Sequence, residues 1–420
     1  MKILIQSATI LDSNSPFHKK KKNILIQNGR ITEIGDKNFS ADKIIDAKNM
    51  ILSVGWFDLG AYVGDPGHEH HEDLASLMKS AAAGGFTEVA VLPNTSPSVQ
   101  SKNEVSYLIN NNDSRLVQIH AMAAVTKNNK GEDLTEMIDL HQAGAIAFTD
   151  GLKPIWHTDI FLKSLQYLQK FNGLLIDHPE DIWLNLFGQM HEGLNSTMLG
   201  LKGMPRIAEE LPLSRNIELL QYAGGRVHFS RLSTAKSIDL VRAAKKRGLS
   251  VSCDVVSYQP LLDVSLLEDF DTNYKVNPPL SEKAARDALV KGLNDGTIDV
   301  LCSGHLPQDD ECKNLEFDQA EFGVANLQTF GSTLTMLSDM VAWEDIIHKV
   351  TTAPRTLLGI EVPVIDVDQK ANLTLFDPER EWTLDAKSNF SKSKNSPWYG
   401  QKIKGKAVAV FNNSRNWLDV

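Results

Sequence analysis

Short apolar runs alternate with helix-like stretches between residues 53 and 304, and this alternation constrains the fold more than any other feature. Helix-like stretches such as 73–83, 207–222 and 234–247 separate the apolar runs. Strands that alternate with helices pair in parallel, and eight such units close on themselves. The pattern therefore predicts an α/β fold with a (β/α)8 TIM-like barrel. An open doubly wound sheet is the alternative, although no Gly-rich dinucleotide fingerprint follows the first strand. The eight predicted strands are 53–62, 87–93, 116–124, 145–150, 174–178, 226–231, 249–255 and 299–304.

Both ends of the chain have β patterning instead. Two β-rich runs flank Asn28-Gly29, the dipeptide that best tolerates the positive φ angles of a type I′ hairpin. Residues 371–377 and 405–411 are further strand-like runs, and a predicted helix at 343–358 precedes them. We predict that the two ends pair in one small β-sandwich that is discontinuous in sequence. The predicted division is residues 1–52 and 361–420 for the sandwich and residues 53–360 for the barrel.

The bulk composition excludes several classes of function. The formal net charge of −10 leaves no basic surface for nucleic acid. No apolar run reaches the roughly 18 residues that a membrane span needs, and residues 1–11 lack the features of a signal peptide. Cys253, Cys302 and Cys312 cannot supply a disulfide framework and fit a reducing compartment. We therefore expect a cytoplasmic protein with no nucleic-acid and no membrane partner.

In a (β/α)8 barrel the active site lies at the C-terminal ends of the strands. A catalytic zinc ion there needs about three ligands from His, Asp, Glu or Cys, with one position left for water. An arginine at the same place cannot ligate a metal and repels it. The strand ends therefore predict a poor metal site. The residues at the strand ends, in chain order, are Gly60, Tyr62, Asp150, His178, Arg231, Asp254, Gly304 and His305.

Many short segments, in order along nearly the whole chain, resemble dihydroorotases of the cyclic amidohydrolase family, within the amidohydrolase superfamily. The resemblance implies a (β/α)8 barrel with a β-sandwich built from both termini. It also implies a centre of one or two zinc ions that activates water for ring opening of dihydroorotate. The segments include Pro66-Gly67-His68-Glu69, Gly84-Gly85-Phe86-Thr87, Leu92-Pro93-Asn94-Thr95, Asp177-His178-Pro179-Glu180-Asp181, Gly203-Met204-Pro205 and Val276-Asn277-Pro278-Pro279-Leu280.

Most of the metal and catalytic positions that the resemblance implies are altered. The two histidines of the first strand fall on Gly60 and Tyr62, and the substrate-binding arginine after them falls on Gly64. The bridging ligand falls on Gly151 beside a surviving Asp150, and the strand-six histidine falls on Arg231. The catalytic aspartate falls on Gly304, and a later histidine is Gln308, whereas His178 is kept. We therefore predict no catalytic residue and no metal ligand, with His178 and Asp150 as vestigial positions.

The resemblance implies that the positions that hold the substrate are better preserved, at Asn94, Asn277 and His305. We predict that these three residues, together with Arg231 as a positive group for an anionic ligand, bind a ligand. The predicted function is that of a dihydroorotase-like protein of pyrimidine (UMP) biosynthesis that is catalytically inactive and has no cofactor. By resemblance, it is expected to form a homo-oligomer and to act as a structural partner of aspartate carbamoyltransferase.

Two alternatives stay open. One is an active dihydroorotase, or cyclic amidohydrolase, with zinc in a rearranged site. The other is a metal-free protein that binds a small carboxylated ligand through Arg231, in a cavity widened by the glycines at 60, 64, 151 and 304. Arg231 fully paired with Asp150 or Asp254, in a filled cavity, would contradict this second alternative.

A cluster of histidines and acids, His68 to Glu72, follows the Pro66-Gly67 turn. Because it lies beyond the strand end, we interpret it as the solvated start of the first helix rather than as a metal site. Lys153 also lies past its strand end, so we do not predict a carboxylated lysine. His228 is interpreted as a structural histidine.

Overall fold

The computed structural model describes residues 2–110 and 112–419. Strands alternate with helices through most of the chain. The strands are β1 (Lys2–Ile10), β2 (Lys21–Gln27), β3 (Arg30–Gly35), β4 (Lys43–Asp46), β5 (Ile51–Val54), β6 (Trp56–Ala61), β7 (Phe86–Val91), β8 (Gln118–Ala123), β9 (Ala147–Phe148), β10 (Leu175–Asp177), β11 (Met190–His191), β12 (Gly203–Met204), β13 (Val227–Phe229), β14 (Val251–Val256), β15 (Val300–Cys302), β16 (Asn372–Thr383), β17 (Lys402–Asn412) and β18 (Arg415–Leu418). The helices are α1 (Leu74–Gly84), α2 (Lys102–Ile109), α3 (Met137–Gln142), α4 (Thr158–Leu168), α5 (Leu194–Leu199), α6 (Ile207–Ala223), α7 (Ala235–Lys246), α8 (Lys283–Asn294), α9 (Asp310–Lys313), α10 (Phe330–Leu337), α11 (Trp343–Val350) and α12 (Thr352–Leu358).

Eight parallel strands, in the order β6-β7-β8-β9-β10-β13-β14-β15, form the predicted barrel. Each predicted strand overlaps one of them. β6, β7 and β14 are buried at every position, as expected for parallel strands covered by helices on the outer face. The (β/α)8 prediction is confirmed.

Side chains and backbone atoms close the barrel between its first and last strands. The Asp58 carboxylate accepts hydrogen bonds from the Ser303 backbone N–H and hydroxyl, each at 2.7 Å. The Tyr62 N–H donates to the His305 carbonyl at 2.9 Å. Burial raises the pKa of Asp58 against the lowering effect of its bonds from Ser303. These contacts fix the ends of β6 and β15 relative to each other.

Strands from both termini form one further sheet, in the order β18-β17-β16-β5-β1-β2-β3, with β4 beside β1. Its core is rich in isoleucine and leucine, including Ile5, Leu52 and Leu373. Asn28 and Gly29 have φ angles of 50° and 76°, as the hairpin prediction requires. The prediction of a small β domain from both termini is confirmed, while its exact residue division stays a prediction.

Two predicted elements are each split in the structure. The predicted strand at 53–62 is interrupted at Gly55, where the chain leaves the terminal sheet and enters the barrel. A Cβ at Gly55 would collide with the side chains of Thr87 and Asn372, so the crossing requires glycine. The predicted helix at 343–358 breaks at Thr351, because Pro354 has no N–H to donate to the carbonyl four residues earlier.

Helix α1 begins close to the barrel mouth. The Asp73 side chain accepts a hydrogen bond from the Ser76 N–H at 2.7 Å, and the Ser76 hydroxyl accepts one from the Asp73 N–H. This reciprocal capping fixes the helix start and, with it, the loop that connects β6 to α1. Within the described ranges, no helix is both long and apolar enough to cross a membrane.

Candidate ligand site at the barrel mouth

The C-terminal ends of the barrel strands surround a cavity of about 430 Å³. Its polar wall includes Tyr62, His178, Arg231, Asn277, Gln308 and Glu321. The cavity therefore lies where the barrel geometry places an active site. Of the four predicted ligand-binding residues, Arg231 and Asn277 line it.

Arg231 spans the barrel mouth. Its φ of 57° lies in the left-handed region, which costs a residue with a Cβ about 1–2 kcal/mol. The backbone N–H that this conformation presents donates to Asp254 at 2.6 Å, and one guanidinium nitrogen donates to the Gly60 carbonyl at 3.0 Å. Among the described residues, no carboxylate forms an ion pair with this buried guanidinium. Most of its five N–H groups are therefore left for a ligand.

His178, Glu180 and Asn277 form a second polar group on the cavity side. The Glu180 carboxylate lies 3.4 Å from the His178 Nε2 atom and accepts a hydrogen bond from the Asn277 amide at 3.2 Å. Burial by itself raises the pKa of Glu180, but the bond and charge of His178 outweigh it and lower the pKa to about 2. The buried Nδ1 atom of His178 has no partner among the described residues. His178 thus lines the cavity and keeps one buried ring nitrogen unpaired.

Asn94 and Asp150 do not line the cavity. The Asn94 amide donates to the Asp150 carbonyl at 3.0 Å and accepts from the Leu152 N–H at 2.9 Å, which clamps the turn after β9. The Asp150 carboxylate accepts from the Thr126 N–H and hydroxyl, at 2.9 and 2.5 Å. Burial raises the pKa of Asp150 to about 6, against these hydrogen bonds, which lower it. Both residues act as loop anchors in this structure.

His305 is buried behind the cavity, where it faces Glu72. Its Nδ1 atom accepts from the N–H groups of Asn326 and Leu327 at 3.2 and 3.3 Å, so its proton resides on Nε2. That Nε2 atom lies 3.6 Å from the Glu72 carboxylate, which also bonds the Ser391 hydroxyl. Glu72 is fully buried. The interpretation of residues 68–72 as a wholly solvated helix start is therefore wrong at Glu72.

Glycines at the altered positions do not widen the cavity. A Cβ at Gly64 would collide with the His68 carbonyl, and one at Gly151 would collide with the Asn94 side chain. A Cβ at Gly304 would lie 2.5 Å from the Val256 side chain. The expectation of a cavity enlarged by these three glycines is wrong, because neighbouring groups already occupy the space. Tyr62 fills part of the mouth, and burial raises its pKa to about 12.

The residues at the strand ends do not fit a zinc centre. Arg231 places a positive charge beside the Gly60 carbonyl, and the oxygens of Asp150 and Asp254 are already bonded to Thr126, His228 and the Arg231 backbone. Among the described residues, the buried His178 Nδ1 and His305 Nε2 atoms have no hydrogen-bond partner, and two histidines fall short of the roughly three ligands that a zinc ion needs. In the part of the chain that the structure describes, the cluster of three metal-binding side chains lies on loops at the rim instead.

Other residues singled out in the sequence have structural positions. His228 is buried and bonds Ser252 and Asp254 at 2.8 and 2.9 Å, as expected for a structural histidine. Lys153 is exposed. Glu180 and Glu321 were missed as site residues. Glu180 lies in the segment that follows His178 and was open to detection, whereas Glu321 carries no sequence signal.

The family model described as "Dihydro-orotase-like" matches residues 49–237. Two curated relatives are both named dihydroorotase. The protein from Citrifermentans bemidjiense is 36% identical over 413 residues, which cover 97% of each chain. The protein from Acetivibrio thermocellus is 37% identical over 395 residues, which cover 93% of each.

Among solved structures, the L-hydantoinase (dihydropyrimidinase) from Arthrobacter aurescens superimposes with a TM-score of 0.85 at 19% identity, over 99% of this chain and 95% of the other. Dihydropyrimidinase from Brevibacillus agri gives a TM-score of 0.82, also at 19% identity, over 100% of this chain and 95% of the other. At this identity the likeness concerns the fold, a barrel with an added sheet domain.

Proposed function

The chain belongs to the dihydroorotase family. Within that family, we propose that it is a member without hydrolytic activity. Its proposed role is that of a structural partner of aspartate carbamoyltransferase in pyrimidine (UMP) biosynthesis. The observation that carries the loss of activity is the Arg231 guanidinium, hydrogen-bonded to the Gly60 carbonyl where the family pattern has metal ligands.

Hydrolysis of a cyclic amide requires an activated water and stabilisation of the charge that develops on the carbonyl oxygen. Gly304 stands in the slot of the proton-accepting aspartate, and Gly64 stands in the slot of the substrate-binding arginine. Gly64 has no room for a side chain, since the His68 carbonyl covers it. The cavity therefore keeps walls for a ligand but lacks the groups that activate water.

Exposed apolar side chains support a protein partner. Trp183, Phe187, Leu194 and Met198 are 72–76% exposed, and all lie between β10 and α6. Concentrated exposed apolar surface on a folded protein marks interaction sites. We propose that this segment contributes to the assembly, which we also propose to be homo-oligomeric.

Two measurements test the proposal. Dihydroorotate hydrolysis is assayed with added zinc and after chelation, and no turnover is expected in either case. Co-expression with aspartate carbamoyltransferase from the same organism is expected to give one co-eluting complex, whose mass is measured by light scattering. Trp183→Ser with Phe187→Ser should weaken the complex, while Tyr222→Ser, on an exposed side chain of α6, serves as the control. Zinc-dependent turnover would favour the alternative of an active enzyme with a rearranged site, and separate elution would reject the partner.

A second candidate function is the binding of a carboxylated ligand without metal. Arg231 favours it, because a buried guanidinium with unused N–H groups faces an open cavity. An ion pair between the Arg231 guanidinium and Asp150 or Asp254, which would contradict this function, is not present among the described residues; Asp254 bonds only the Arg231 backbone N–H. Orotate and dihydroorotate are suitable probes, and ligand binding should raise the unfolding temperature.

A further inference from the structure

A cluster of histidine, carboxylate and thiol groups lies at the rim of the cavity, outside the strand-end positions discussed above. The Nε2 atoms of His70 and His71 lie 3.7 and 3.6 Å from the same oxygen, Oδ2 of Asp309. The Cys312 sulfur lies 3.9 Å from the His71 Nε2 atom. The ligand atoms of the two histidines and Asp309 all lie within 4.8 Å of one another.

These separations are close to those of a tetrahedral zinc site. Zn–N and Zn–O bonds of about 2.0–2.2 Å place two donors roughly 3.3–3.6 Å apart, and a Zn–S bond of about 2.3 Å places sulfur and nitrogen roughly 3.5 Å apart. The distances from Asp309 to each histidine, and from Cys312 to His71, exceed these values by only a few tenths of an ångström. Rotation of the imidazole rings can bring the two histidines and Asp309 to bonding distance, whereas Cys312, which lies outside the group of three, has to turn its side chain toward the ion.

The surroundings hold the donors in this arrangement. The Oδ1 atom of Asp309 accepts the Cys312 N–H at 2.9 Å, which leaves Oδ2 directed at the histidines. The Ser393 hydroxyl donates to the His71 carbonyl at 2.8 Å, and the Lys392 ammonium donates to the Glu69 carbonyl at 2.7 Å. The loop between β6 and α1 is thus fixed from a third segment. Ligands that are oriented before binding lose less entropy when the ion arrives.

The site is open to solvent on one side and to the cavity on the other. The His70 side chain is 60% exposed, whereas those of His71 and Asp309 are 15% and 25% exposed. His71 and Cys312 also line the cavity that contains Arg231. We propose that His70, His71 and Asp309, with Cys312 as the fourth donor, bind one divalent transition-metal ion of the zinc class. The ion joins the β6–α1 loop to the start of α9 and fixes one wall of the cavity entrance.

Cobalt and zinc titrations of the full-length protein test the site. Wild-type protein, stripped with a chelator, is expected to bind one equivalent of Co²⁺ with the visible bands of a tetrahedral complex and a sulfur-to-cobalt charge-transfer band. Zn²⁺ should displace the cobalt. His71→Gln and Asp309→Asn should each weaken binding by roughly tenfold or more. Cys312→Ser should remove the charge-transfer band and keep the one-to-one stoichiometry.

His68→Gln is the matched control, because its ring lies in the same loop about 6 Å from the other two and outside the donor set. It should bind cobalt like the wild type. Circular dichroism verifies that each variant folds. Wild-type protein that binds no cobalt, or binding that is unchanged in the His71→Gln, Asp309→Asn double variant, would overturn the proposal. The outcome is independent of the proposed function, since metal binding at the rim is read without an activity assay.

Discussion

Removing the Arg231 guanidinium should abolish most of the stabilisation that a carboxylated ligand gives. A guanidinium and a carboxylate form two parallel charge-assisted hydrogen bonds, and bonds to charged groups contribute about 1.5–3 kcal/mol each. A loss of about 3 kcal/mol corresponds to a roughly 100-fold higher Kd. The free protein should tolerate Arg231→Ala, because the guanidinium makes one hydrogen bond, to the Gly60 carbonyl, and its left-handed backbone is already strained.

Thermal unfolding with orotate measures the effect. At a ligand concentration about 100 times the wild-type Kd, ligand binding stabilises the wild type by about 2.7 kcal/mol. A 100-fold weaker variant gains about 0.4 kcal/mol at the same concentration. Arg231→Lys should fall between them, since an ammonium keeps the charge but not the planar pair of donors. Arg247→Ala, at an exposed arginine on the end of α7, is the control. An equal temperature shift in the wild type and Arg231→Ala would refute the assignment of Arg231 as the anion-binding group.

Three further predictions concern stability. The fully buried Arg355 pairs with Glu88 at 2.7 Å. Glu88→Gln should lower the free energy of unfolding by about 3–5 kcal/mol in urea titrations, because it leaves Arg355 without a counter-charge. Burial by itself raises the pKa of Glu88, but Arg355 and His120 lower it to about 2. The stability contributed by the ionised Glu88 should therefore be present above pH 4.5 and decline as the pH falls toward 2. Burial raises the pKa of Asp150 to about 6, so the stability that its protonated form contributes should be lost as the pH rises from 3.8 through 6. Asp150→Asn should remove this pH dependence of the free energy of unfolding, measured in denaturation curves at pH 4, 5 and 7. A pH dependence equal to that of the wild type would contradict the burial argument. Gly151→Ala should destabilise the protein more than Gly200→Ala does, because both glycines have φ near 67° but only the first substitution would place a Cβ against Asn94. Equal losses of unfolding free energy in urea titrations would show that the contact with Asn94 relaxes freely.

The fold was predictable because strand and helix periodicity are local properties of the sequence. All eight barrel strands and the hairpin at Asn28-Gly29 were identified from apolar runs and turn residues alone. One of the two errors falls where a contact distant in sequence decides the local structure. The strand break at Gly55 depends on Thr87 and Asn372, which are 32 and 317 residues away along the chain. The helix break before Pro354 was open to prediction from the proline itself.

The site was less predictable than the fold. Residue identity predicts that the strand-end positions of Gly60, Tyr62 and Arg231 make a poor metal centre, and this stays a prediction. It did not reveal that Asn94 bonds backbone groups, or that His305 accepts backbone N–H groups at Nδ1 and faces Glu72 with Nε2, since hydrogen-bond partners are set by three-dimensional packing. It also did not reveal the rim cluster, because His71 and Cys312 are 241 residues apart.

The sequence by itself determined which side-chain donors the strand ends offer, since glycine has no side chain and a guanidinium cannot ligate a metal in any fold. It also determined the barrel and its added sheet, because these follow from the period and order of the apolar runs. Only the tertiary structure decided which polar groups remain free. Hydrogen bonds and burial occupy Asn94, Asp150 and the Nδ1 atom of His305, whereas the Arg231 guanidinium lines the cavity without an ion pair among the described residues. A side chain's availability depends on its neighbours in space, and those neighbours come from distant parts of the chain.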